Sequence, residues 1–479
     1  MKNLLTLFLV FLLNTLSAQN KAYEFNQLND TIVARYNRVD YNGIYALGNE
    51  NFRMAQGKED LNYLLSSLYK QTGKIKGTVL INTYEKGRSF KWIGEKKNLR
   101  FDFTTKTGSD INEFNISDFV EQPYAPSKKV LSDNKLKTKM DSIVNSNALI
   151  YMLDPKSVGL SIGIYKDGKT YTYNYGEVKK GSNQLPNSKT FYGLGSITKS
   201  FVGILLAKAV IDKKVNLTDD IRKYLKGNYP NLEYNGNPIQ LQHLANHSSG
   251  FPYWTITRPD SLDNLKPYEQ HLFYEKFTLK DLENDLHKIK LDTLSGIRYN
   301  YSGAGINTLI IILQNVYSKS FEQLVKEYFG KQFGMTDTKK TLSQAEIKRF
   351  VTGYDERDFV VPFFVQNTSA LGPELTSTID DMLKYISYNV KEQNIVLKLS
   401  HQKTLSLIND YGVGLCWMLN KNWQGDNYIF HNGQAWGCIT TCTLYPKYQT
   451  GFVIFVNEKS SQERVGALER NLSEALNGK

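Results

Sequence analysis

The sequence predicts an α/β chain: a large domain with one antiparallel sheet, flanking helices and an all-helical insertion, preceded by a small α+β domain. Three observations carry this reading. Apolar residues keep a helical spacing up to about residue 75 and then alternate from Gly77 to Phe119. A second set of alternating runs stands at residues 157–178, and a third at 439–457. Between those two sets the sequence is rich in helical patterns, as expected for a sheet interrupted by a long insertion.

Taken in order, residues 1–18 read as a secretory signal peptide, with Lys2 ahead of the apolar run Leu4–Leu13 and small residues at Ser17 and Ala18. That run is shorter than the roughly 20 residues needed to cross a bilayer, and no later run reaches that length. An exported protein without a stable membrane span is expected, in the periplasm or the medium. Residues 19–122 form the α+β accessory domain. Leu28, Ile32 and Val33, then Leu61, Leu64, Leu65 and Leu68, are spaced for buried helix faces. Thr78–Ile81 and Leu99–Phe103 read as strands, with turns at Lys86-Gly87 and Thr107-Gly108. Pro123 and Pro126 mark a linker over 123–135.

The large domain covers 136–479. A helix is expected over Ser132–Ile150, then a hairpin of Ser157–Tyr165 and Thr170–Val178 turning at Asp167-Gly168. Ile439–Tyr445 and Gly451–Asn457 read as two more strands, and Gln462–Leu476 as a closing amphipathic helix. Strands from both ends of one domain imply that they meet in a single sheet.

Bulk properties exclude some functions. The net charge of +12 is spread along the chain without a concentrated basic run, so it describes a solvated surface and no nucleic-acid partner is expected. Cys438 and Cys442 would stand roughly 13 Å apart on one strand, too far to bridge. Three buried, reduced thiols are the expectation for these two and Cys416, with a bridge from Cys416 to one of them as the alternative.

Three motifs carry chemistry. In Gly195-Ser196-Ile197-Thr198-Lys199 the spacing of three puts Ser196 and Lys199 on one helix face, about 5–6 Å apart at Cβ. A serine hydroxyl needs a neighbouring base, and a desolvated lysine serves because burial lowers its pKa. The run Phe201–Ala207 behind it is apolar on nearly all sides, as in a buried helix. The second motif is Ser295–Gly303, where turn-forming residues around Tyr301 suggest a loop holding a phenol toward a cleft. The alternative is a structural tyrosine in a chain with 31 of them. The third is His431-Asn432-Gly433-Gln434, next to the strand Ile439–Tyr445, with a glycine where a substrate can approach the backbone.

In this order and spacing the three motifs resemble those of class C β-lactamases, D-alanyl-D-alanine carboxypeptidases and related esterases. IQLQHLANHSSG at Ile239–Gly250, Phe333–Thr338, Leu371–Asp381 and Tyr411–Gly414 are similar to further landmarks of that family. The resemblance implies a β-lactamase/transpeptidase-like fold and a covalent acyl-Ser196 intermediate. It gives Lys199 and Tyr301 the proton transfers and places His431 where many members carry Lys. The oxyanion hole would be the backbone N–H groups of Ser196 and Gln434, beside Gly433. Gly303 stands where many members have Asn, which removes an amide that holds peptide-like acylamide substrates. His431 likewise weakens the fixed positive charge for a substrate carboxylate. Both departures favour esters or small amides over β-lactams, and restoring Asn at 303 is expected to narrow that gap if the loop tolerates a side chain.

No metal or organic cofactor is implied. His243 and His247 lie four apart, but Leu244 stands where a zinc-protease helix needs Glu, so both read as structural. Trp254, Trp417 and Trp436 are candidates for the cleft wall, with the core as the alternative for Trp417. The substrate class is a small-molecule or cell-envelope acyl compound. The rival readings are a penicillin-binding carboxypeptidase or amidase, and a sensor that captures a ligand without turnover.

Overall fold

The computed structural model describes residues 24–83, 87–119, 130–253, 277–355, 358–361, 363, 374–407, 411–422, 425–459 and 462–477. The signal segment, most of the linker, Lys86 and Trp254 therefore lie outside the described residues. The chain divides into two compact units, Met1–Gln122 with Lys421–Asp426 and Pro123–Asn420 with Asn427–Lys479.

In the first unit the helical region is four helices: α1 (24–37), α2 (Tyr41–Leu47), α3 (Glu50–Ala55) and α4 (Lys58–Thr72). The breaks have local causes. Asp40 and Asn49 accept backbone N–H groups of the following turns as N-caps, and Gly57 precedes α4. Strands β1 (Ile75–Thr83), β2 (Gly87–Gly94), β3 (Leu99–Thr104) and β4 (Glu113–Asp118) form an antiparallel meander in sequence order. Phe90, Trp92, Phe101 and Phe103 bury one core with Phe25, Leu28, Ile32, Tyr36, Leu61 and Leu65 of the helices. Trp92 can be fully buried because its indole N–H donates to Asn29 Oδ1 at 2.9 Å.

The second unit opens with α5 (Lys139–Met152), later than the expected start at Ser132. Asp133 accepts the Asn174 N–H at 2.8 Å and Asn134 donates to the Tyr175 hydroxyl at 2.7 Å, which holds this segment against a strand instead. The helix begins where Thr138 and Asp141 form a capping box. Strands β5 (Gly159–Lys166) and β6 (Lys169–Gly176) are the expected hairpin, with positive φ at Asp167 and Gly168. Further along lie the two-residue strands β7 (Tyr192–Gly193) and β8 (Thr376–Ser377), which pair with each other. The other strands of the main sheet are β9 (Leu405–Ser406), β10 (Gly412–Val413), β11 (Met418–Lys421), β12 (Asn427–Ala435), β13 (Cys438–Tyr445) and β14 (Thr450–Val456). The main sheet runs β9-β10-β11-β12-β13-β14-β5-β6, so the terminal strands meet where β14 pairs antiparallel with β5.

Alternation along these strands feeds two cores. Ile162, Ile164, Phe452, Ile454 and Val456 pack with α5 and the last helix, α10 (Gln462–Asn477), through Val144, Ala148, Leu468 and Leu472. Val453, Phe455, Cys442 and Leu444 face the helical insertion. There α6 (Thr198–Ile211) is buried nearly all round, in one core with residues of α7 (Leu241–Ala245), α8 (Gly303–Tyr317) and α9 (Ile379–Lys391). Phe201 of α6 stacks on Tyr385 of α9 with centroids 4.3 Å apart. Cys416, Cys438 and Cys442 are free and buried. Trp417 is core, stacked on Tyr385. Among the described residues, no helix is long and apolar enough to cross a membrane.

Candidate active site

Ser196 sits in a single 3₁₀ turn, Gly195–Ile197, that runs directly into α6. The turn lies flat on β12. Gly195 has φ +50°, and a Cβ there would lie 2.4 Å from the Gln434 backbone nitrogen. A Cβ on Gly433 would lie 2.9 Å from the Ser196 nitrogen and 2.0 Å from the Leu194 oxygen. Only glycine at both positions lets the two backbones come this close. Thr440 of β13 fixes the junction by donating to the Leu194 carbonyl at 3.1 Å.

Lys199 is the second residue of α6, one turn on from Ser196, with Nζ 2.8 Å from Ser196 Oγ. Burial pushes its ammonium below the ordinary lysine value. Tyr301 stands near Ser196 as well; burial pushes its phenol up to about 12, and its interaction with Ser196 offsets part of the rise. Lys199 Nζ stands 5.2 Å from the centre of the Tyr301 ring.

The loop that holds Tyr301 is tied to the segment ending in Asn246-His247-Ser248-Ser249-Gly250. Asn300 N–H donates to the His247 carbonyl at 2.7 Å, Ser302 N–H to His247 Nδ1 at 3.2 Å, and Ser295 Oγ to the Ser249 carbonyl at 3.0 Å. His247 also packs on the Tyr301 ring at 4.4 Å, so its structural role includes holding the phenol in place. His243 caps its own helix by accepting the Gln240 N–H at Nδ1. Among the described residues no group of three or more His, Cys, Asp or Glu is placed to hold a metal ion.

His431 is buried, and its Nδ1 bonds the Asn432 carbonyl at 2.8 Å, which leaves Nε2 as the acceptor. Burial, then the neighbouring Lys199, holds its pKa down at about 3, so the ring is neutral at pH 7. Gly303 is the first residue of α8 behind the Ser302 cap, where a loop was expected. Its N–H donates to the Tyr253 carbonyl at 2.9 Å, and a Cβ would lie 3.0 Å from that oxygen.

Ser196, Lys199, Tyr301, Gly303, His431, Gly433 and Gln434 all line one cavity of about 810 Å³. Trp436 is not part of that lining; it packs against Phe350 and Phe363. Sequence reasoning missed Tyr253, Tyr299, Asn307 and Glu374 in the same wall. Glu374 lies inside the landmark Leu371–Asp381, which was read for its pattern and not for its carboxyl.

A serine bonded to a desolvated lysine with a phenol beside it, on a turn pressed against a strand, is an arrangement able to carry acyl transfer of the penicillin-recognising kind. The sequence profile of the Beta-lactamase family matches residues 133–476, and the chain belongs to that family. Protein flp of Staphylococcus aureus is 26% identical over 319 residues, covering 63% of this chain and 60% of that relative. A β-lactamase of Providencia stuartii is 26% identical over 238 residues, covering 49% and 56%. The chain thus spans less than two thirds of these curated relatives. The β-lactamase/D-alanine carboxypeptidase from Yersinia pestis superposes with TM-score 0.59 at 22% identity over 70% of this chain and 96% of its own, a likeness of fold.

Proposed function

We propose that this protein is an exported serine hydrolase that acts through a covalent acyl-Ser196 intermediate on esters or small amides. The observation that carries this reading is the bond from Lys199 Nζ to Ser196 Oγ, with the Tyr301 phenol beside both in the same cavity. Neutral Lys199 accepts the hydroxyl proton as Oγ bonds to the acyl carbon. The oxyanion then accepts from the backbone N–H groups of Ser196 and Gln434. Tyr301 and Lys199 pass the proton to the leaving group as its bond to the acyl carbon breaks. Water repeats the sequence in reverse to release the acid and free Ser196. The export part of the reading is supported by the pattern of residues 1–18 alone.

The leaning toward esters rests on Gly303 and His431. Amides are poor acyl donors and depend on remote binding energy to place the carbonyl and protonate the leaving nitrogen. Gly303 offers no side chain, and a lost hydrogen bond costs about 1–3 kcal/mol when its partner stays buried. The test is kcat/KM for short-chain p-nitrophenyl esters against the cephalosporin nitrocefin on one preparation. Ester turnover well above nitrocefin turnover is expected; nitrocefin turnover equal or faster would overturn the ester reading.

A further inference from the structure

Glu374 is brought to the reacting serine by the short strand pair β7–β8. Thr376 pairs with Gly193, and the Leu194 N–H donates to the Leu375 carbonyl at 2.8 Å. Continuing that register sets Glu374 beside Gly195. The Leu375 N–H donates to Thr198 Oγ1 at 3.0 Å, which fastens the same segment to the first turn of α6. The Glu374 side chain lines the cavity with Ser196 and Lys199. Among the described residues its carboxyl has no hydrogen-bond or ion-pair partner; Lys199 and Lys459 act on it only through space. Lys459 is not part of the cavity wall.

This arrangement poses a problem for Lys199. A carboxylate nearby favours the charged ammonium, yet the base must be neutral to take the Ser196 proton. A cation beside Glu374 resolves it, because the added positive charge cancels the carboxylate's field and favours the neutral amine. Glu469, the other carboxyl in the cavity wall, does not share this place. It bonds Thr443, whose β12 partner Phe430 alternates with His431 and so points to the opposite face of the sheet.

Resting on the serine-hydrolase reading, we propose that Glu374 is a specificity-determining residue that receives a cationic ammonium group of the substrate, and that carboxylate-bearing acyl compounds are disfavoured. The ammonium belongs to either the acyl half or the alcohol half of the ester, and matched permanent cations tell them apart. Ethyl trimethylglycinate carries the charge in the acyl half, with ethyl 3,3-dimethylbutanoate as its neutral isostere. Acetylcholine carries it in the alcohol half, with 3,3-dimethylbutyl acetate as its isostere.

Two measurements on the full chain test this. Binding of all four esters to Ser196→Ala by calorimetry reads the charge preference without turnover, and kcat/KM with the unsubstituted enzyme reads it in catalysis. At least one cation is expected to bind about tenfold or more tighter than its isostere. Glu374→Gln in the same background should bring that ratio close to one, and Glu374→Asp should keep part of it. Equal binding of cation and isostere, no binding of either cation at millimolar concentration, or a preference that survives Glu374→Gln would each overturn the proposal. Absence of ester hydrolysis alongside a Glu374-dependent binding ratio would count against the hydrolase reading and leave the charge assignment standing.

Discussion

His247 lies against Tyr301 with ring centroids 4.4 Å apart and accepts the Ser302 N–H at 3.2 Å, so one buried side chain fixes both the phenol and the cap of α8. Burial, and then Lys199 and His431 nearby, keep this ring neutral, as an acceptor at Nδ1 requires. Removing it leaves the Ser302 N–H unpaired. His247→Ala should cost about 1–3 kcal/mol of stability and lower kcat more than it raises KM. His247 has φ +60°, which asparagine tolerates better than alanine, so His247→Asn should retain more stability. Thermal unfolding and steady-state kinetics check both. A change in KM alone would mean that the ring does not position Tyr301.

Lys199→Ala and Tyr301→Phe should each slow acylation strongly. Because Lys199 bonds Ser196 Oγ and the Tyr301 phenol lies beside both to share its proton, the double variant should be little worse than the poorer single. Single-turnover acylation rates in a double-mutant cycle measure this, and additive losses would show that the two act independently.

Stability should depend on His431 in acid. Its folded pKa of about 3 lies below the ordinary 6.5. Its contribution is therefore full above pH 6.5 and is lost as pH falls toward 3, at up to about 1.4 kcal/mol per pH unit. Glu374 acts in the opposite sense. Burial raises its pKa from 4.5 to about 7, so it costs stability as pH rises through that interval. The two effects oppose each other between pH 4.5 and 6.5, so His431→Gln should gain stability relative to the unsubstituted protein as pH falls from 6.5 to 4, and Glu374→Gln should gain stability relative to it as pH rises from 4.5 to 6.5. Parallel curves for His431→Gln and the unsubstituted protein would contradict the neutral buried ring.

Gly303→Asn should not confer rapid nitrocefin hydrolysis. A side chain at the start of α8 must displace the Tyr253 carbonyl, 3.0 Å from where its Cβ would stand. Reduced stability with little gain in nitrocefin kcat/KM is the expected result. A large gain without destabilisation would show that this contact yields freely.

Much of the molecule was legible because its signals are local. Alternation and the Asp167-Gly168 turn specify the hairpin, and spacing of three puts Lys199 over Ser196. The start of α5 was misplaced because Asp133 and Asn134 bond a strand some forty residues away, although Thr138 and Asp141 spell a capping box. Glu374 escaped notice for a related reason. Nothing in its neighbourhood marks it, and only a two-residue strand pairing carries it to Gly195. His247 was correctly read as structural, but its contact with Tyr301 depends on loop geometry that periodicity does not encode.

The central claim is that Ser196 is the nucleophile, and the most direct measurement is site mapping of a fluorophosphonate adduct by mass spectrometry. The Oγ held by Lys199 should be labelled in a single stoichiometric event on the Ser196 peptide, and Ser196→Ala should take up no label while unfolding at a similar temperature, since Ser196 makes no helix-capping bond. Label on another residue, or undiminished labelling of Ser196→Ala, would contradict the assignment.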